Sequence, residues 1–275
     1  MFLIFFAFSF SFSTFLYADE RIVASLQSRE FSCKNLIFDD CQYTECRGRL
    51  PSYPLEILIS IPKEVTGLGV HFHGHLLGKY PEYERDLGQM IQSFYLNKSL
   101  CVSKKMMIFP RSEGNCQTYD SRLKDNQSLL KFFNDIEGAT ERSFPALSLS
   151  AHSGGGRTVS RILNSGLAVS EVTIYDGIYS ENDRETIKNW FLTKNGTLRL
   201  SSVKGMTPEK LCKKIVASIA SESSVIQTKI NNVRYEKYKS EKFQYLNRTS
   251  DNENLLRAHY KNLEETWSIF ESSSL

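Results

Sequence analysis

From Leu55 onward, short apolar runs alternate with stretches whose apolar residues recur every three or four positions. Residues 55–61 (LEILISI) and 69–73 (GVHFH) read as strands, and Tyr83, Leu87, Met90, Ile91 and Phe94 follow at helical spacing. Residues 106–109 form the next expected strand, closed by Pro110, and Leu129, Leu130, Phe133 and Ile136 mark a helix. A strand over 146–151 precedes a helix whose inner face carries Val159, Ile162 and Leu163. A further strand covers 172–175, and the helix after it carries Ile187, Trp190 and Phe191. Thr207-Pro208 has the form of an N-cap followed by proline in the first turn. Residues 215–219 and 243–246 are candidate late strands, and a C-terminal helix carries Leu263, Trp267 and Phe270. Strands alternating with helices predict an α/β fold, a mostly parallel central sheet flanked by helices on both faces. Residues 19–53 are polar and Cys-rich. They read as an irregular N-terminal extension wrapped around a main domain over 54–275.

Composition narrows the partners. The 275 residues hold 34 Lys+Arg against 31 Asp+Glu, a net charge of +3, which is not the basic excess of a nucleic-acid-binding domain. Seven of the 18 phenylalanines fall within the first 15 positions. Residues 1–18 are uncharged and carry Ser9, Ser11, Ser13 and Thr14, a run shorter than the roughly 20 strongly apolar residues of a membrane span. They read as a secretory signal with Ala18 before the cleavage point, so the expected location is secreted or periplasmic, without a membrane span after cleavage. The missing Lys or Arg after Met1 and the large Leu16 depart from that pattern, and an uncleaved anchor is the competing reading. Six cysteines agree with an oxidising compartment. Local closure favours Cys41–Cys46 and Cys101–Cys116, leaving Cys33 for Cys212, among the roughly 15 connectivities that six cysteines allow.

An open α/β sheet places its chemistry at the carboxyl ends of its strands, and three such ends carry polar residues. The first is Ala151-His152-Ser153-Gly154-Gly155. A serine at the apex of a tight strand-to-helix turn has a strained backbone, and it needs small residues two positions to either side. The turn leaves Ser153 at a helix N-terminus, where the Gly154 amide is a natural donor to a developing oxyanion. No Lys-Ser/Thr follows Gly156, so the phosphate-loop pattern is absent. The second is His71-Phe72-His73-Gly74-His75, and the third is Tyr175-Asp176-Gly177, whose glycine permits a sharp exit from the strand.

At these residues the chain resembles the α/β-hydrolase superfamily of serine esterases, lipases and peptidases, in outline over about 55–270. Ala151 stands where that family usually has glycine. The resemblance implies a Ser153 nucleophile and a His259 general base, the only histidine after Ser153, placed between the last strand and the final helix. It implies a triad acid at Asp176, preferred here over Glu222, which lies one strand later where most members carry it. Gly74 and the amide of His75 or Leu76 would complete the oxyanion site beside Gly154. His73 would hold that loop through hydrogen bonds, and His73, His152, Tyr175 and Tyr179 would surround the pocket. The implied protein is an exported serine hydrolase without cofactor, acting on a small-molecule or cell-envelope acyl substrate. Two alternatives stand beside it. One is a metal-dependent hydrolase, because alternating His71, His73 and His75 could face one side of a strand. The other is an inactive binding protein on the same fold. Oligomeric state is left open.

Overall fold

The computed structural model describes residues 19–38, 41–74, 102–112, 119–219, 226–230, 233–249 and 255–272. The leader, the helix expected around 83–94, Cys101, Cys116, His75 and Glu222 lie outside them.

The described strands are β1 (Ser32–Phe38), β2 (Cys41–Leu50), β3 (Tyr53–Pro62), β4 (Gly67–Phe72), β5 (Lys105–Pro110), β6 (Leu147–His152), β7 (Val169–Tyr175), β8 (Thr197–Val203), β9 (Ile226–Ile230), β10 (Val233–Lys239) and β11 (Phe243–Arg248). They form one sheet in the order β1-β2-β3-β5-β4-β6-β7-β8-β11-β10-β9. The run from β5 to β11 is parallel throughout, and antiparallel strands extend both of its edges. The described helices are α1 (Glu20–Ser28), α2 (Asn126–Thr140), α3 (Gly155–Asn164), α4 (Glu181–Lys194), α5 (Thr207–Ile219) and α6 (Leu255–Ser272).

Alternation along each strand divides the apolar side chains between two faces. Ile57, Ile59, Ile61, Ile108, Val172 and Ile174 join the larger core with residues of α1 to α5. Their neighbours Leu58, Met107, Phe109 and Tyr175 join the smaller one beneath α6, with Leu263, Trp267 and Phe270. Both faces are therefore covered, as the strand–helix alternation requires. The strand order reverses between β4 and β6, whose chains leave toward opposite edges. A crevice opens at such a switch point, beyond the carboxyl ends of the strands.

Several expectations need correction. Residues 19–53 are regular: they form α1, β1 and β2, and β2 pairs with β3 at the sheet edge. Residues 215–219 are the end of α5, not a strand, because Leu211, Cys212, Ile215 and Val216 share one buried helical face. Strand β8 was not anticipated; in TLRLSSV the inward Leu198 and Leu200 alternate with Arg199 and Ser201, which are also buried. Leu130 is exposed, and Phe132 takes its place on the buried side of α2. The disulfide joins Cys33 to Cys46, which face each other across the β1–β2 pair, rather than the expected Cys41–Cys46 and Cys33–Cys212. Sequence proximity favoured Cys41, but strand register sets which thiols meet. Cys41 is bonded elsewhere, and Cys212 is a free thiol on the buried face of α5.

Among the described residues no helix is long and apolar enough to cross a membrane. Peptide mapping without reductant should recover Cys33 linked to Cys46, with Cys212 alkylated only after unfolding. Replacing Cys33 and Cys46 together by alanine should lower the unfolding free energy by about 2–4 kcal/mol, read by chemical denaturation.

Candidate active site

Strand β6 ends at His152, and the chain turns at once into α3. Ser153, at the turn, has a left-handed backbone with φ +52°. A side-chain-bearing residue there costs on the order of 1–3 kcal/mol, so its surroundings must hold it in place. They do so through the Ser153 N–H, which donates to Tyr175 O at 3.0 Å, and the Ser153 carbonyl, which accepts from Gly156 N at 3.1 Å. Close backbone approaches complete the clamp. A Cβ on Gly155 would stand 2.1 Å from Phe72 O, one on Gly156 2.0 Å from Gly177 O, and one on Gly74 2.3 Å from Ser153 Cβ. The requirement for small residues thus extends beyond Gly155 to Gly156, Gly177 and Gly74. The N–H groups of Gly154 and Gly155 open α3 and have no intrahelical acceptor.

The end of β7 has a second left-handed residue, Asp176, with φ +47°. Its N–H donates to Ser201 O at 2.8 Å, and its Oδ1 accepts from Val203 N at 3.2 Å, so β8 fixes the carboxylate. Its Oδ2 meets His259 Nδ1 in a hydrogen bond. The acid is wholly buried and the histidine nearly so. His259 lies within the second turn of α6 rather than ahead of the helix, a correction to its expected place. The signal was present in the sequence: His259, Asn262, Leu263, Thr266, Trp267 and Phe270 make one stripe at helical spacing, all buried. Asn262 Nδ2 donates to Ser201 Oγ at 2.8 Å and anchors that stripe to β8.

The remaining predicted residues fall into different surroundings. His73 uses both ring nitrogens: Ser112 N–H donates to Nε2 at 3.2 Å, and Nδ1 therefore donates to Gly74 O at 2.9 Å. His71 pairs through Nδ1 with Ser150 Oγ at 2.9 Å and packs its ring near Trp267. His152 is buried against His259. Tyr175 is fully buried, stacked on Trp267 and tilted against Phe270, so it belongs to the smaller core. Tyr179 is exposed. Ser153, Asp176, His152, His259 and Gly74 are thus gathered at one end of the sheet. Tyr119, missed by the sequence reading, donates to Pro110 O at 3.0 Å and packs edge-on to His73.

No family model matches this sequence, and no curated protein matches it. Among solved structures, a predicted CIB-like hydrolase from Thermoplasma acidophilum aligns over 88% of this chain and 96% of its own, with a TM-score of 0.50 at 10% identity. The chain has the α/β-hydrolase fold. Two further neighbours lie just below that TM-score. The feruloyl esterase module from Clostridium thermocellum is 9% identical, with a TM-score of 0.49 over 86% of each chain. A putative α/β hydrolase from Agrobacterium tumefaciens is 12% identical, with a TM-score of 0.49 over 83% of this chain and 94% of its own.

Burial also sets the charge state of this α/β-hydrolase end of the sheet. Desolvation, with His73 nearby, pushes the His71 pKa down to about 3. Desolvation likewise takes His73 to about 4, against a smaller raising effect of its bond to Gly74 O. The unfolded chain protonates both near 6.5, so it binds more protons than the folded chain as the pH falls below that value. Their contribution to stability is complete above roughly pH 7 and declines on the way down to pH 3–4. Denaturant titrations at pH 7 and pH 5 should differ by on the order of 2 kcal/mol for each of these histidines. A flat profile would contradict their burial as neutral groups. At the turn itself, Gly156→Ala should cost about 1–3 kcal/mol in the same assay, because its Cβ has no room beside Gly177 O.

Proposed function

We propose that this protein is a serine hydrolase that cleaves an ester through an acyl-enzyme on Ser153. The observation that carries the reading is the Asp176 carboxylate on His259 Nδ1, beside a serine held left-handed at a helix N-terminus. With Asp176 accepting from Nδ1–H, the Nε2 lone pair of His259 is the basic site. In the first step Ser153 Oγ attacks the acyl carbonyl as His259 Nε2 takes its proton. The carbonyl oxygen gains negative charge and is met by the Gly154 amide at the start of α3. Collapse expels the alcohol, which takes the proton back from His259. Water then attacks the acyl-enzyme by the same route, and Ser153 is restored. Desolvation strengthens the Asp176–imidazolium attraction, because both groups are shielded from water.

An ester is preferred to an amide by analogy with the commoner use of this scaffold, and the acyl substrate is a small molecule or a cell-envelope component. Export is part of the proposal: the Cys33–Cys46 disulfide is compatible with an oxidising compartment, and residues 1–18 read as a signal. The metal-dependent alternative has less support. Both nitrogens of His73 are engaged in hydrogen bonds, leaving no lone pair for a cation, and His71 turns to Ser150. Among the described residues no three potential ligands gather in one place.

Hydrolysis of p-nitrophenyl acetate tests the proposal. Ser153→Ala should abolish turnover, and Asp176→Asn should lower kcat by about 10⁴-fold through loss of the productive tautomer. Chelators should have no effect. Turnover that survives Ser153→Ala, or that a chelator removes and zinc restores, would contradict the serine mechanism.

A further inference from the structure

His152 has a place in the site that the proposed reaction leaves unused. It is the last residue of β6, next to Ser153, and only 3% exposed. Its Nε2 lies 3.1 Å from the main-chain carbonyl oxygen of His259. A carbonyl oxygen only accepts, so Nε2 carries the proton and donates. The two imidazoles also face each other, with ring centroids 4.5 Å apart and planes 31° from parallel. One side chain therefore touches both the backbone and the ring of the proposed base.

We infer that His152 is a positioning residue: it joins the strand that carries the nucleophile to the helix that carries the base, and fixes the His259 ring between itself and Asp176. This rests on the serine-hydrolase reading of the same site. Asp176 holds Nδ1 of His259 at one edge of the ring. His152 lies against the face of the same ring and holds the main-chain carbonyl beneath it. Because His152 and Ser153 are consecutive, a shift of β6 carries nucleophile and clamp together, and the gap to His259 is preserved.

Charge is consistent with the role. When His259 takes the Ser153 proton it becomes an imidazolium, and a second cation at this separation would oppose that transfer. Among the described residues, the titratable groups that act on His152 include His259 on α6 and, from β4 and the turn after it, His71 and His73. Burial, followed by the proximity of His259, holds the His152 imidazole well below the usual histidine range. His152 thus stays neutral while its neighbour charges.

Two variants separate the two contacts. His152→Phe keeps a ring against His259 but cannot donate; His152→Gln keeps an N–H donor without the ring. With p-nitrophenyl acetate, His152→Phe should lower kcat about 10- to 100-fold, as expected for loosened placement of a reacting group, with KM nearly unchanged. His152→Gln should recover part of that loss. Wild-type kinetics in His152→Phe, or a change confined to KM, would overturn the positioning role while the serine mechanism stands. Absence of turnover in the wild type would overturn both. A measurement on the unmutated protein guards against a variant that fails to fold: ¹⁵N NMR of labelled histidines should find His152 as the neutral Nε2–H tautomer, remaining uncharged as the pH falls through the ordinary histidine range. An Nδ1–H tautomer would overturn the inference, since it has no proton to give the His259 carbonyl.

Discussion

Ser153 has a backbone conformation that L-residues rarely adopt, and the architecture around it holds that conformation in place. Its amide is bound by the end of β7 and its carbonyl by the first turn of α3. Phe72 at the end of β4, Gly74 in the turn beyond it and Gly177 after β7 crowd the same turn from both sides. Each of these approaches is closer than a side chain allows, so the glycines are a consequence of the serine's position. The strain is local, and the sheet and helices sustain it.

The same end of the sheet has a second dependency, on α6. The helix touches the sheet through an apolar stripe, with Trp267 stacked on Tyr175 and Leu263 and Phe270 in the smaller core. Within that stripe the polar residues have their own partners: His259 on Asp176 and Asn262 on Ser201. The helix is thereby held in rotation as well as in position, which fixes where the His259 ring lies. Asp176, itself left-handed and bound to the amide of Val203, connects this helix to the centre of the sheet. Packing and site geometry are one construction here.

Much of this was legible in the sequence where burial and chemistry coincide in a short segment. The parallel strands β4, β5, β6 and β7 each carry a short apolar or alternating segment between stretches of helical spacing, and the turn at Ser153 announces itself through its small neighbours. Asp176 was legible because a strand end and a glycine flank it. Features set by partners distant in sequence were not legible. Strand β8 hides because Arg199 and Ser201 are buried beside Leu198 and Leu200 on a strand covered on both faces. The Cys33–Cys46 pair follows from hairpin register, which spacing alone does not reveal. The resemblance puts His259 ahead of the final helix; a buried partner, Asp176, instead lets a histidine occupy a core position within it. The contact between His152 and the His259 carbonyl spans 107 residues and leaves no local trace.

The central claim is that the fold activates one particular oxygen, Ser153 Oγ, by placing it in the left-handed turn near the Asp176–His259 pair. Covalent capture with a fluorophosphonate, followed by peptide mass mapping, tests that claim most directly. The account predicts a single phosphonyl adduct on the peptide containing Ser153, formed by the folded protein and absent after denaturation. An adduct on another residue, or no adduct on correctly folded protein, would contradict it.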